Sequence, residues 1–179
     1  MTRWSSNRRF TNILFGIYTY FERFIWFLIN LLPKFLRKLF YKLVFKKYGS
    51  RVFIDEGCYF RYPWKIAIGD DVTLNRGCSF YPSLKNKSST IEIHDGAIIA
   101  PGVTFFGAGQ DPINPSGLDV SEDIVVKKNA YIGGNSTIRY GVTVGSHSVV
   151  GAGSIVVRNV PDKRIFAGNP AMEIGSIDG

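Results

Sequence analysis

Few groups in this chain of 179 residues can move a proton near neutral pH. His94 and His147 are its two imidazoles, and an unperturbed histidine titrates close to that range. His94 directly follows Ile93 and His147 sits in Gly145-Ser146-His147-Ser148, so both read as exposed corner residues rather than catalysts. Asp111 and Asp119 fall in the polar run 106–123, FGAGQDPINPSGLDVSED. A carboxylate withdrawn from water there could serve as a general base, although acids in surface loops are more often solvated or capping. Cys58 and Cys78 stand 20 residues apart, at no known motif spacing. They read as inert packing in a reducing cytoplasm rather than as a disulfide or a reactive thiol.

What must position these groups is a repeat. Branched aliphatics return every sixth residue at Val126, Ile132, Ile138, Val144, Val150 and Val156, and four residues after most of them comes a small or short side chain: Ala130, Ser136, Val142, Ser148, Ser154. Gly follows the aliphatic at 133, 145 and 151. A period of six is neither helical nor alternating. It describes a parallel β-helix in which the aliphatic fills the interior and the small residue fits under a corner. The glycines recur because corners need them, not because a phosphate-binding loop is at work.

The rhythm begins near Val52, with Ile54 and Phe60 inward, and resumes after Tyr62-Pro63-Trp64-Lys65 at Ile68, Leu74 and Phe80. Cys58 and Cys78 take the small corner position and are expected to stack one coil apart. The run SLKNKSST at 83–90 reads as an exposed loop. Ile93, Ile99 and Phe105 make a further coil before the rhythm stops over 106–123. Long loops in compact domains are uncommon and often functional. The expected organisation is a basic apolar helical arm over 1–49, a β-helix over 50–160 with the inserted loop 106–123, and a C-terminal tail over 161–179.

The high pI belongs to the arm. Residues 1–51 hold eleven Lys and Arg against one acid, Glu22, and the remaining chain has eleven basic against thirteen acidic residues. Residues 13–32 are long enough to cross a bilayer, but Glu22 and Arg23 lie mid-segment, where a charge costs about 2.5–3.5 kcal/mol on insertion scales. No small-residue cleavage site follows the apolar run, so no signal peptide is read. After Pro33, the spacing places Phe35, Leu36, Leu39, Phe40, Leu43 and Val44 on one helical face and Lys34, Arg37, Lys38, Lys42 and Lys46 mainly on the other. Such a basic amphipathic helix suits an anionic membrane surface. Nucleic acid fits less well, because a broad apolar face opposes the basic one.

Over residues 50–175 the chain resembles the hexapeptide-repeat acyltransferases with a left-handed parallel β-helix. The terminal repeats and the closing stretch VPDKRIFAGNPAMEI carry that likeness, and FRYPWKIAIGDD resembles most the colanic-acid-type and other polysaccharide O-acetyltransferases. The resemblance implies a mainly β, left-handed parallel β-helix with an N-terminal amphipathic helical arm, a homotrimer, acetyl-CoA as acyl donor and a saccharide acceptor. It implies no metal, since the three-histidine sites of the β-helix carbonic anhydrases have no third histidine here.

The same resemblance places a general-base histidine in the long loop, where this chain has Gly107-Ala108-Gly109-Gln110-Asp111. Gln110 thus stands at the histidine's position. A glutamine cannot take a proton at neutral pH, though it can orient a hydroxyl or donate to a carbonyl. Asp111 is the alternative base. Asn75 matches the family's transition-state asparagine, or is a left-handed corner residue. Tyr131 matches an aromatic flank of the acyl site, and Gly134 and Ala152 match backbone contacts to pantetheine. Arg158 matches the base near the CoA phosphates, with Lys163 and Arg164 nearby, while Met172 replaces a basic residue of the family's ending. The implied function is O-acetylation of a sugar in a cell-surface polysaccharide or its lipid-linked precursor, by a cytoplasmic protein peripheral on the inner face of the membrane through residues 1–48. The alternative is a catalytically silent trimer that binds glycan, CoA or a partner enzyme.

Overall fold

The structure is a computed structural model that describes residues 3–84, 89–110 and 120–177. It divides into two units, Met1–Phe40 and Tyr41–Gly179. Helix α1 covers Arg3–Leu31 and helix α2 covers Lys34–Val44. Pro33 separates them: it has no N–H with which to continue α1, and its carbonyl accepts from Leu36 and Arg37 at 3.0 and 3.2 Å to open α2. Trp26 meets Phe40 edge to face at 6.2 Å. Ile13, Ile17, Phe21, Phe24, Phe27 and Leu31 are all exposed along α1. Among the described residues, no helix is long and apolar enough to cross a membrane.

The expected division of α2 into one apolar and one basic face is redrawn. Phe35 and Leu43 are 72% and 79% exposed, Lys38 and Lys42 are exposed as well, and Arg37 is buried. In the second unit Tyr41 and Phe45 pack on Phe60, at centroid distances of 6.0 and 4.9 Å.

In the second unit short parallel strands wind through three faces. The first face stacks Lys47–Tyr48, Ile66–Ile68, Ile91–Ile93, Ile124–Val126 and Thr143–Val144. The second stacks Phe53–Ile54, Thr73–Leu74, Ile98–Ile99, Tyr131–Ile132, Val149–Val150 and Arg164–Gly168. The third stacks Tyr59–Phe60, Ser79–Tyr81, Thr104–Phe106, Thr137–Arg139 and Ile155–Val156. The register is the hexad's own: Leu74 pairs with Ile99, Ile99 with Ile132, and Ile132 with Val150. Every aliphatic named from the six-residue period is buried, as are the five small corner residues. On the third face Phe60, Phe80 and Phe105 stack at 5.0 and 4.7 Å. Each such fully buried side chain contributes about 1.5–3 kcal/mol relative to exposure.

The glycines after the aliphatics serve close approach. A β-carbon on Gly133 would lie 2.5 Å from the Ala152 nitrogen. One column of left-handed corner positions lies between the first and second faces, where Arg51, Asp71, Gly96, Asn129, His147 and Lys163 have φ from 50 to 70°, and another between the second and third faces at Gly57, Gly77, Gly102, Asn135 and Gly153. His147 is thus a corner residue, as expected. Cys58 and Cys78 are free, buried and one coil apart, donating to the carbonyls of Asn75 and Ala100, each at 3.2 Å. The neighbouring Cys78 sulfur, together with burial, pushes the Cys58 thiol up and keeps it protonated.

Three boundaries differ from the sequence reading. The first coil starts at Lys47, before residue 50, because Tyr48 lies one coil above Ile68 and fills an inward place with an aromatic ring. The tail from 161 is ordered as strands: Arg164–Gly168 continues the second face, and Ala171–Ser176 pairs antiparallel with it as the last strand of that sheet. The stretch 83–90 is not exposed throughout, since Ser83, Ser89 and Thr90 are buried.

Candidate active site

Two edges of the prism hold the residues singled out from the sequence. Between the second and third faces, Asn75 lies in the second coil, Gly134 in the fourth and Ala152 in the fifth. Backbone bonds align this column: Asn135 donates to the Pro101 carbonyl at 2.9 Å and Gly153 to the Gly134 carbonyl at 2.8 Å. Gly133, Gly134, Gly151, Ala152 and Gly153 give its lower half almost no side chains. Asn75 sits two coil steps above Gly134, about 10 Å at the usual strand spacing. Tyr131 lies beside this edge, 42% exposed on the outer side of the second face between Ile98 and Val149.

Asn75 does not take the left-handed conformation, which at this corner belongs to Gly77. Its side-chain amide donates to the Ile99 carbonyl at 2.9 Å, while its own carbonyl receives the Cys58 thiol. The Cys58 bond is to the backbone carbonyl, so the side-chain amide is oriented by its bond to Ile99, and one of its two N–H groups points elsewhere.

The second edge lies between the third and first faces, where the long loop leaves the prism after Phe106. Ala108–Gly109 pairs antiparallel with Val120–Ser121 to form the loop's stem, and Gln110 stands exposed at its outer end. Both stem glycines are required by contact. A β-carbon on Gly107 would lie 2.9 Å from Pro82 Cα, and one on Gly109 would lie 2.7 Å from the ring of Tyr140. Asp111 and Asp119 lie outside the described residues. Arg158 is exposed on this same edge, two residues past Val156.

The single chain thus brings Asn75, Tyr131, Gly134 and Ala152 to one edge and Gln110 and Arg158 to another, with the third face between them. Lys163 is on the remaining edge, where its N–H donates to the Ser146 carbonyl at 2.9 Å. The two histidines are also on that edge. His94 Nε2 lies 3.8 Å from Glu92 Oε2, and His147 Nε2 is 3.5 Å from Asn129 Nδ2. Among the described residues no three His, Cys, Asp or Glu side chains come together as a metal site.

Sequence reasoning missed the support under the loop. Lys65 is buried and its ammonium donates to the Ser89 carbonyl at 3.4 Å; loss of water pulls it below the ordinary lysine range. Ser89 Oγ reaches the carbonyls of Gly107 and Glu122, both at 3.4 Å. Asp123 accepts from the Thr90 N–H at 2.6 Å and its hydroxyl at 3.1 Å. The one available signal was position: polar residues immediately before the strands that begin at Ile91 and Ile124.

No family model matches the chain. Over 145 residues it is 31% identical to the galactoside O-acetyltransferase of Escherichia coli (strain K12), covering 79% of this chain and 69% of that protein. A hexapeptide-repeat acetyltransferase from Vibrio cholerae O1 biovar eltor, solved with acetyl coenzyme A, superposes with a TM-score of 0.79 at 25% identity, covering 88% of this chain and 86% of that one. A galactoside acetyltransferase solved with coenzyme A gives a TM-score of 0.78 at 28% identity, covering 88% and 79%. The winding shared with these structures is the left-handed parallel β-helix.

Proposed function

Because the chain belongs to the hexapeptide-repeat acetyltransferases, we propose that it transfers an acetyl group from acetyl-CoA to a hydroxyl of a sugar. The observation that carries this is the edge shared by Asn75, Gly134 and Ala152, a flat run of backbone on which a pantetheine arm can lie below a fixed amide donor. An acceptor hydroxyl attacks the thioester carbonyl, a C–O bond forms, the C–S bond breaks, and the CoA thiolate leaves. Asn75 has one N–H on the Ile99 carbonyl and offers the other to the developing oxyanion. Tyr131 flanks the acyl group, and Arg158, on the same edge as Gln110, meets the CoA phosphates from the neighbouring copy. Gln110 orients the acceptor hydroxyl, and Asp111 takes its proton.

The working unit is a homotrimer, because Asn75 and Gln110 occupy opposite edges of one face and a neighbouring copy can bring its own loop to the asparagine edge. The acceptor is a sugar of a cell-surface polysaccharide or its lipid-linked precursor. Residues 1–48 hold the enzyme on the inner face of the membrane: among the exposed side chains of α2, Phe35, Leu39 and Leu43 alternate with Lys38 and Lys42, so apolar groups enter lipid while ammoniums reach the headgroups. Confinement to that surface raises the encounter rate with a lipid-linked acceptor.

Gln110 supports a second reading, a silent trimer that binds CoA, glycan or a partner enzyme. Thiol release from acetyl-CoA with hexose and amino-sugar acceptors, on wild type and Gln110→His, separates the two. Wild type is expected to turn over slowly and Gln110→His faster, since general-base assistance is worth about 10² to 10⁴. CoA binding by calorimetry with no turnover in either protein would establish the silent reading.

A further inference from the structure

We propose that Ser89 and Asp123 are positioning residues for acetyl transfer, which fix the stem that carries Gln110 by tying Ser89 and Thr90 to the loop's outgoing and returning limbs. The inference rests on the acetyl-transfer reading and extends it to residues that touch neither substrate.

Three segments converge at the edge where the loop leaves the prism. The turn Pro63–Lys65 delivers the Lys65 ammonium to the Ser89 carbonyl at 3.4 Å. Ser89, 1% exposed, holds its hydroxyl 3.4 Å from the Gly107 carbonyl on the outgoing limb and 3.4 Å from the Glu122 carbonyl on the returning limb. One hydroxyl proton is therefore shared between the loop's two limbs. One residue further, Thr90 gives both its N–H and its hydroxyl to Asp123, while the Thr90 carbonyl accepts from Ile124 at 3.0 Å. The outgoing limb is also seated from outside, by Pro82 against Gly107 and Tyr140 against Gly109.

Gln110 directly follows Gly109, so its backbone position is set by this seat. A buried serine bridging two carbonyls would be a poor choice for stability alone, because an aliphatic residue could fill the same volume. Its chemistry suits a fixed distance between two limbs. A misplacement of about 1 Å at a reacting group costs on the order of 10²-fold in rate, so the clamp acts on kcat rather than on donor binding, whose contacts lie on the Gly134 and Ala152 edge.

The test compares Ser89→Ala, Asp123→Ala and Asp123→Asn in the full chain, each with Gln110 and with Gln110→His. Ser89→Ala and Asp123→Ala are expected to lower kcat about 10- to 100-fold, with KM for acetyl-CoA within about twofold, and the loss should persist at temperatures well below each variant's thermal midpoint. Faster hydrogen exchange at the amides of Gly107 to Gly109 should accompany the loss. Asp123→Asn keeps an acceptor for the Thr90 N–H and should recover most of it. An unchanged kcat in both alanine variants, or a loss that tracks a lowered thermal midpoint, overturns the inference while turnover itself persists. Absence of turnover in wild type and in Gln110→His alike defeats the acetyl-transfer reading and this inference with it, and is distinguishable because no variant then has a rate to compare.

Discussion

Asn75 and Gln110 stand at opposite edges of the third face, one before the strand Ser79–Tyr81 and the other beyond the strand Thr104–Phe106 in the next coil. No rotation of a side chain can bring them to one reacting carbon in a single copy. If both serve one reaction, the copies must share it. Asn75→Ala and Gln110→Ala should each be nearly inactive alone, and mixing them with subunit exchange should return part of the activity. Light scattering should give three times the 20.1 kDa chain mass. A monomeric mass at micromolar concentration, or no complementation on mixing, would remove the shared site.

The stacked rings of the third face set a second expectation. Phe80 is fully buried between Phe60 and Phe105, and truncating a core phenylalanine to alanine typically costs about 3–5 kcal/mol, including the cavity left behind. Phe80→Ala should lower the denaturant midpoint by that amount with the slope unchanged, measured at fixed protein concentration because association couples to unfolding. A loss below about 1 kcal/mol would mean that the column collapses onto the vacancy.

Legibility follows periodicity. The period of six, read from Val126 to Val156 and picked up again from Ile54 to Phe105, placed one buried aliphatic or aromatic residue on almost every strand of the three faces, because each coil repeats the same packing problem and solves it with the same residue types. Tyr48 escaped because it fills an aliphatic place with an aromatic ring in a two-residue strand beside Lys46 and Lys47. The exposure of Phe35 and Leu43 and the burial of Arg37 escaped because the pattern of α2 contains more than one candidate apolar face. Ser89 and Asp123 carry no period at all. They sit in stretches whose polarity reads as solvent, and only the three-dimensional meeting of two segments gives them buried partners. The distribution of Asn75 and Gln110 between two edges was in principle countable from the hexads, but the inserted residues break the count.

The corner carboxylates predict a pH dependence. Asp70 accepts from the Ser50 N–H at 2.7 Å, Asp95 from the Asp70 N–H at 3.0 Å, and Asp162 from the Ser146 N–H at 2.8 Å, each tying one coil to the coil before it. These backbone bonds, assisted by nearby lysines, hold all three carboxyls below the usual aspartate range. A depressed folded pKa stabilises above the unfolded value, near 3.9, and that stability is lost as pH falls through the folded value. The thermal midpoint should thus be flat in these groups from pH 8 to 5 and fall below about pH 4. Replacing all three by asparagine keeps an acceptor but removes the titration, so the acid limb should flatten. An equally steep limb in the variant would assign acid sensitivity to other groups.

The arm supplies the last test, and the structure decides where to cut. Tyr41 and Phe45 pack on Phe60, and Lys47–Tyr48 is the first strand of the β-helix, so removing residues 1–48 would open the core as well as delete the arm. Removing 1–40 leaves those contacts in place. That deletion takes away seven Lys and Arg and one acid, Glu22, together with the exposed residues of α1 and the exposed Phe35 and Leu39. Each basic residue near an anionic surface is worth about 1 kcal/mol, and the attraction decays within a Debye length. The full chain should sediment with vesicles containing anionic lipid. It should be released only in part by high salt, since the apolar contribution is insensitive to screening. The 1–40 deletion should stay in the supernatant with an unchanged thermal midpoint. Equal sedimentation of both forms, or none of the full chain, would show that the exposed apolar groups of α1 meet protein rather than lipid.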